Sequence, residues 1–362
     1  MAEVFARARR EHEHSLQQEA KRRALHGEGT PILSAVVNGV RAVAVGNRIT
    51  SVPDGVAFHE FLHRFLEAEL TPAWGMAEMQ KPEGERHELM RWRDIHFKAI
   101  QRAPGASETL GLWVPIIGAS LAWFRLAYDL YLIQHNAELE AEILDRIRYG
   151  DFQAARYELA VAAAFSNAQF DIAYADKRDR TKKRAELVAT HRVTGHRFAV
   201  EAKAKQRHGV FGYVSPDGER AVKGVGLRRL FTQAMKKDTD GLPLLVFIDA
   251  NLPSVDDPAQ SSWVGEARSM AKRYDRAAAR QHDLNCAALF VTNDSCAHDL
   301  EGTPHPMHNF WVMGVQCANA KHPLPDRSYL PTLNQVMAQR ARIPHDFPTP
   351  PGPINLDGQW GP

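Results

Sequence analysis

The sequence predicts an α/β fold in which helices flank a mixed β-sheet, preceded by a mainly helical N-terminal domain. Three observations carry this expectation. From Asp151 to Ala318, helix-forming stretches and short apolar or β-branched runs follow one another as helix, three strands, helix, strand, helix, strand and a last strand. Two of those runs, Leu242 to Ile248 and Cys286 to Thr292, are continuously apolar, as strands covered on both faces are. Upstream, Gly55 to Arg148 reads as helical and carries Trp74, Trp92, Phe97, Trp113, Trp123 and Phe124, large apolar bodies that a helical domain buries.

At 362 residues the chain can bury two cores of ordinary size, and four segments are expected. Residues 1–30 form a charged helical arm without the apolar centre of a signal peptide. Residues 31–150 form the mainly helical domain, in which Ile32 to Val52 alternates as a small hairpin around Gly46-Asn47. The apolar run Leu110 to Phe124 contains Pro115 and Gly118 and is followed by Arg125 and Asp129. A spanning helix needs about 20 apolar residues, so this run reads as a buried core helix and no membrane association is expected. Ala137 to Arg148 is amphipathic, with Leu139, Ile143, Leu144 and Ile147 on one side. Residues 151–320 are the α/β domain, and 321–362 a Pro-rich tail with one helical piece at Leu333 to Arg342. Cys286, Cys296 and Cys317 show no CxxC spacing, which fits a reducing, cytoplasmic setting.

Within the α/β domain, Asp151 is the expected N-cap of a helix from Phe152 to Phe165. A strand, Phe170 to Tyr174, and a basic loop, Asp176 to Arg184, lead into a hairpin. Its arms are Arg184 to His191 and Arg197 to Lys203, about a Thr194-Gly195-His196 reversal. After a loop from His208 to Gly226, Leu227 to Lys237 is a helix exposing Arg228, Arg229, Lys236 and Lys237. A further helix spans Trp263 to Arg280, and Asn309 to Gln316 is the last strand.

The hairpin is where chemistry gathers. Strand alternation puts Glu201 and Lys203 on one face and Phe198, Val200 and Ala202 on the other, core-facing one. A turn near Thr194-Gly195 sets Glu186 opposite the Glu201 to Lys203 segment. On the preceding helix, Glu158 has Ala154, Ala155, Val161 and Ala162 at helical spacing and no intrahelical cation. A carboxylate sent toward a core has a designated partner, and Lys203 or a metal-bound water is the expected one. Around these residues the charge is uneven. Lys177 to Lys237 holds 17 Lys/Arg against 5 Asp/Glu, about +12 in a chain of net charge +2, which is the footprint of a polyanion-binding face.

These residues resemble the PD-(D/E)XK, or restriction-endonuclease-like, nuclease superfamily, in which a helix glutamate precedes a β-hairpin bearing one acid and then an E-x-K tripeptide. Here Glu158 stands in Tyr157-Glu158-Leu159, Glu186 in Ala185-Glu186-Leu187, and the tripeptide is Glu201-Ala202-Lys203. The match covers about Asp151 to Lys237, with Gln233 as an accessory residue, and departs from the family at Ala185-Glu186, where Pro-Asp is expected. The resemblance implies a restriction-endonuclease-like mixed sheet and hydrolysis of phosphodiester bonds, in DNA more than in RNA. It implies Mg²⁺ or Mn²⁺ held by Glu186 and Glu201, with Lys203 positioning the attacking water and Glu158 completing the catalytic set. Lys182, Lys183, Arg184, Lys205, Arg207, Arg228 and Arg229 would hold the nucleic-acid backbone. The N-terminal domain would serve a second copy or a protein partner.

Three weaker signals compete. An E-x-K tripeptide arises on the order of once by chance in a chain of this length, and Glu19-Ala20-Lys21 is such a case. A non-catalytic nuclease-fold module that binds nucleic acid or scaffolds a complex would carry the same pattern with a dispersed site. Finally, His59-Glu60-Phe61-Leu62-His63 has the HExxH spacing of zinc metallopeptidases, without an identifiable third ligand beyond Glu69, Glu83 or Glu88. The plainer reading there is a helix with Phe58, Phe61, Leu62 and Phe65 in the core.

Overall fold

The computed structural model describes residues 34–45, 48–102, 117–136, 141–174, 183–207, 225–255, 257, 261–278, 283–303, 310–339, 343, 344 and 347. The expected N-terminal arm, the turn at Gly46-Asn47, Lys182 and most of the basic loop, the loop 208–224 and the tail from 348 onward lie outside these residues.

The N-terminal part opens with an antiparallel meander, β1 (Ser34–Val37), β2 (Val40–Val45) and β3 (Arg48–Pro53). Where the pattern suggested a single hairpin, there are three strands. The first reversal is Asn38-Gly39, both at positive φ (51° and 74°), which Asn and Gly tolerate best. Among the described residues five α-helices follow: α1 (Phe58–Glu69), α2 (Pro72–Met79), α3 (Glu88–Arg102), α4 (Gly118–Asn136) and α5 (Ala141–Tyr149). Helix α4 is the buried core helix expected from the apolar run, shifted toward the C-terminus. Among the described residues no helix is long and apolar enough to cross a membrane.

The α/β part has the element order read from the pattern. It runs α6 (Phe152–Asn167), β4 (Phe170–Tyr174), β5 (Leu187–His191), β6 (Arg197–Ala204), α7 (Leu227–Ala234), β7 (Leu244–Asp249), α8 (Ser262–Ala278), β8 (Ala288–Asp294), β9 (Phe310–Gln316) and α9 (Tyr329–Gln339). Asp151 caps α6, its side chain accepting from the Ala154 N–H at 3.2 Å. The six strands lie side by side in chain order. β4, β5 and β6 are antiparallel hairpin neighbours, whereas β6, β7 and β8 are parallel because α7 and α8 serve as crossovers. β9 returns antiparallel to β8.

The two sheet faces bury different partners. Phe198, Val200, Ala202, Leu245, Phe247, Ala288 and Phe290 join one hydrophobic cluster with α1, α4, α6 and α9. Phe247 and Phe290 stack across β7 and β8 with ring centres 4.5 Å apart. The alternate residues Ala199, Leu244, Val246, Ile248, Leu289 and Val291 join a second cluster with α7 and α8. The first cluster runs from Val43 to Met337 and continues across the Tyr149–Asp151 junction, so the N-terminal helices and the sheet share one core. At the start of α4, Gly118 and Ala119 donate to the carbonyls of Gly302 and Leu300 at 3.0 and 2.9 Å. A Cβ at Gly118 would strike the Asp299 carbonyl oxygen, so the close approach requires glycine.

On the α4/α6 face, at the carboxyl ends of β7 and β8, sits a buried charge network. Arg156 of α6 bridges Asp249 (3.1 Å) and Asp294 (3.2 Å), and Arg125 of α4 reaches Asp294 at 2.7 Å. Asp249 has no exposed surface. Burial raises its pKa to about 6, with Arg156 pulling it back and Asp294 adding to the rise. Removing one member of a buried pair leaves an uncompensated charge, and Arg156→Leu is therefore expected to lower unfolding free energy by about 3 kcal/mol at neutral pH, measured by urea denaturation. An acid whose folded pKa lies above its unfolded value of 3.8 destabilises as pH rises through that interval. Losing Arg156 raises that folded pKa further, so the variant's deficit should be larger at pH 8 than at pH 5.

Candidate active site

The β5–β6 register pairs Leu187 with Val200 and Thr190 with Arg197, which places Glu186 across from Glu201. The Glu186 N–H donates to Glu201 Oε2 at 3.2 Å, so the first acid is fixed to the second through its own backbone. Alternation along β6 sends Glu201 and Lys203 to the α7/α8 face. Three of the four expected residues thus come together. Lys203 Nζ lies 2.5 Å from Glu201 Oε1 and 3.4 Å from Glu186 Oε1.

A fourth group was missed. Lys237 follows α7, which ends at Ala234 rather than continuing to the expected Lys237. It was expected as an exposed helix cation, but once the helix stops its side chain turns inward. Its Nζ is 3.1 Å from Glu201 Oε1 and 3.5 Å from Glu186 Oε1, and it donates to the Arg184 carbonyl at 3.0 Å. The turn is held from two sides. Asn285 donates to the carbonyls of Met235 and Lys237, both at 3.0 Å, and Asp238 exchanges backbone hydrogen bonds with Lys183 and Ala185. The available signal was the Lys236-Lys237-Asp238 end of a short amphipathic helix, which carries no marker of an inward turn.

Glu201 has no exposed surface. Its Oε1 is met by two ammonium groups, Lys203 Nζ at 2.5 Å and Lys237 Nζ at 3.1 Å. Burial raises the Glu201 pKa, Lys203 opposes the rise, and Glu186 adds to it. For Lys203, burial acts against the charged form, but Glu201 and Glu186 outweigh it and hold the ammonium pKa above the ordinary lysine value.

Glu158 does not join this group. It forms a bidentate pair with Arg146 of α5, both distances 2.7 Å. Helix α6 packs on the sheet face opposite to Lys203, so the expected Glu158–Lys203 contact is replaced by one with a cation 12 residues upstream. That partner lies outside the α6 helical neighbourhood that suggested an unpaired carboxylate.

Of the expected backbone-binding cations, Lys183, Arg228 and Arg229 are exposed. Arg184 pairs with Asp240 at 2.6 Å. Lys205 is half-buried, and its pKa is lowered by burial and then by Arg229 and Arg207 nearby. Arg207 is not a surface clamp, since its buried guanidinium donates twice to the Ala250 carbonyl at 3.2 and 3.0 Å. Gln233 is exposed on α7, away from the buried stripe Leu227, Leu230, Phe231 and Ala234.

The HExxH segment does lie on a helix, α1, but its polar groups are engaged. His63 Nδ1 accepts from the Trp123 indole at 3.1 Å and its Nε2 faces Glu67 at 3.4 Å, while Glu60 pairs with Arg64. Of the expected third ligands, Glu88 accepts from Arg91 and Trp92, Glu69 pairs with Arg48, and Glu83 faces Lys98. Among the described residues no group of three His, Cys, Asp or Glu is placed to hold a metal ion.

No known protein family, curated protein or solved structure matches this chain. Lys203→Met should destabilise the metal-free protein by roughly 1–3 kcal/mol, because Glu201 keeps its charge and loses its nearest cation. Combining it with Glu201→Gln should recover much of that loss, and a double-mutant cycle by chemical denaturation reads the coupling directly.

Proposed function

We propose that this chain is a metal-dependent phosphodiesterase acting on nucleic acid, DNA in preference to RNA, with the PD-(D/E)XK arrangement and a restriction-endonuclease-like sheet. The observation that carries the reading is the meeting of Glu186, Glu201 and Lys203 on one sheet face, two carboxylates side by side with an ammonium at both of them and Glu201 fully buried. Two carboxylates held side by side, one of them fully buried, repel each other and need cationic charge beside them. The same feature suits a site that takes up a cation.

The donor set fits Mg²⁺ or Mn²⁺. These hard ions favour one or two carboxylates, with water and phosphate oxygens completing the shell. Glu186 and Glu201 would hold the ion, which when bound supplies charge neutralisation at the phosphoryl oxygens and a water of lowered pKa. Lys203, two residues from Glu201 on the same face, would donate to the attacking water or to a phosphoryl oxygen on which charge develops. Its ammonium, held charged by the two carboxylates, suits that donor role and not that of a base. Exposed Lys183, Arg228 and Arg229 would track the phosphate backbone, giving salt-sensitive affinity without sequence readout.

The test is incubation of the purified chain with plasmid, linear duplex and single-stranded DNA, and with RNA, in Mg²⁺ or Mn²⁺. Cleavage is expected in the unmodified protein, falling roughly 100-fold or more in Lys203→Ala and in Glu201→Gln. Undiminished cleavage by Lys203→Ala would overturn the assignment.

A further inference from the structure

Lys237 stands in an unusual position for a cation at the rim of such a site. It does not reach outward toward a phosphate. Its ammonium lies between the same two carboxylate oxygens that Lys203 contacts, at 3.1 Å from Glu201 Oε1 and 3.5 Å from Glu186 Oε1. Any divalent cation entering between Glu186 and Glu201 therefore meets two ammonium groups already there, and like charges at these separations repel strongly in a site of low dielectric. At least one ammonium has to withdraw.

The geometry says which one. Lys203 approaches Glu201 more closely, at 2.5 Å, and springs from β6 itself, near its C-terminal end, where the backbone is paired with Ile248 of β7. Lys237 is held more loosely by both acids, springs from a turn outside regular structure, and has a second anchor independent of them in the Arg184 carbonyl at 3.0 Å. Swinging about that carbonyl takes its charge off the carboxylates without leaving it unpaired.

We propose that Lys237 is a built-in competitor for the metal, an internal cation that occupies the carboxylate pair until a divalent ion displaces it toward the phosphate-bearing substrate. This rests on the reading of Glu186 and Glu201 as the metal-holding pair. It makes metal and polyanion binding cooperative. A phosphate group that draws the released ammonium favours the displaced state, and by linkage the metal raises affinity for the phosphate by the same factor. The consequence for the chain alone is a metal affinity weaker than two buried carboxylates would otherwise have.

The experiment is a titration of the full chain with Mn²⁺ alone, free Mn²⁺ being followed by electron paramagnetic resonance. Lys237→Met is expected to bind Mn²⁺ roughly fivefold or more tightly than the unmodified protein, with Lys237→Arg staying close to it. Glu201→Gln should abolish this binding in either background. Lys237→Gln serves as a second neutral variant, since it can still donate to the Arg184 carbonyl, and far-UV circular dichroism verifies the fold of each. Glu201-dependent binding that is unchanged or weaker in both neutral variants overturns the role of Lys237 alone. Absence of Glu201-dependent Mn²⁺ binding in every form overturns the metal-site reading with it.

Discussion

A sheet covered by helices on both faces leaves little room for uncompensated charge, yet this one carries carboxylates on each side. Glu201 faces α7 and α8, while Asp249 and Asp294 face α4 and α6. The two sides solve the same electrostatic problem with opposite outcomes. Around Asp249 and Asp294 the partners are arginines, whose planar, multi-donor heads suit a fixed buried network. Around Glu201 they are lysines, compact charges on flexible stems that can move away. One side is held by rigid, multi-donor heads and the other by flexible stems.

Much of this was legible beforehand, and for a common reason. Period-two alternation around a Gly-containing turn fixes which residues share a face and which stand opposite, so Glu186, Glu201 and Lys203 could be placed together from β5 and β6 alone. The unbroken apolar runs marked β7 and β8 as central, doubly covered strands for the same local reason. Asp151 announced the start of α6 through the chemistry of its own side chain.

What escaped was set by long-range geometry or by backbone direction at chain ends. Glu158 lies on an apolar helix side, which points to Lys203, but only the packing of α5 against α6 reveals Arg146 as its partner. Arg207 looked like a surface cation because it closes a basic run, whereas the β6 exit turns it under the Ala250 carbonyl. Lys237 depends on where α7 stops, a matter of a few residues that helical periodicity resolves poorly. The Asn38-Gly39 reversal was different, since the dipeptide itself is a strong hairpin signal and was passed over for the Gly46-Asn47 pair nearby.

The contact between Arg125 and Asp294 spans 169 residues, and the N-terminus of α4 rests on carbonyls at Leu300 and Gly302. At translation rates of about 5–20 residues per second, the partners of Arg125 leave the ribosome on the order of ten seconds after Arg125 itself. For that interval a largely buried helix, α4, carries a cation whose interior partners have not yet been made. The N-terminal part therefore shares its final contacts with residues made much later. Its packing is completed by residues that the last third of the chain supplies.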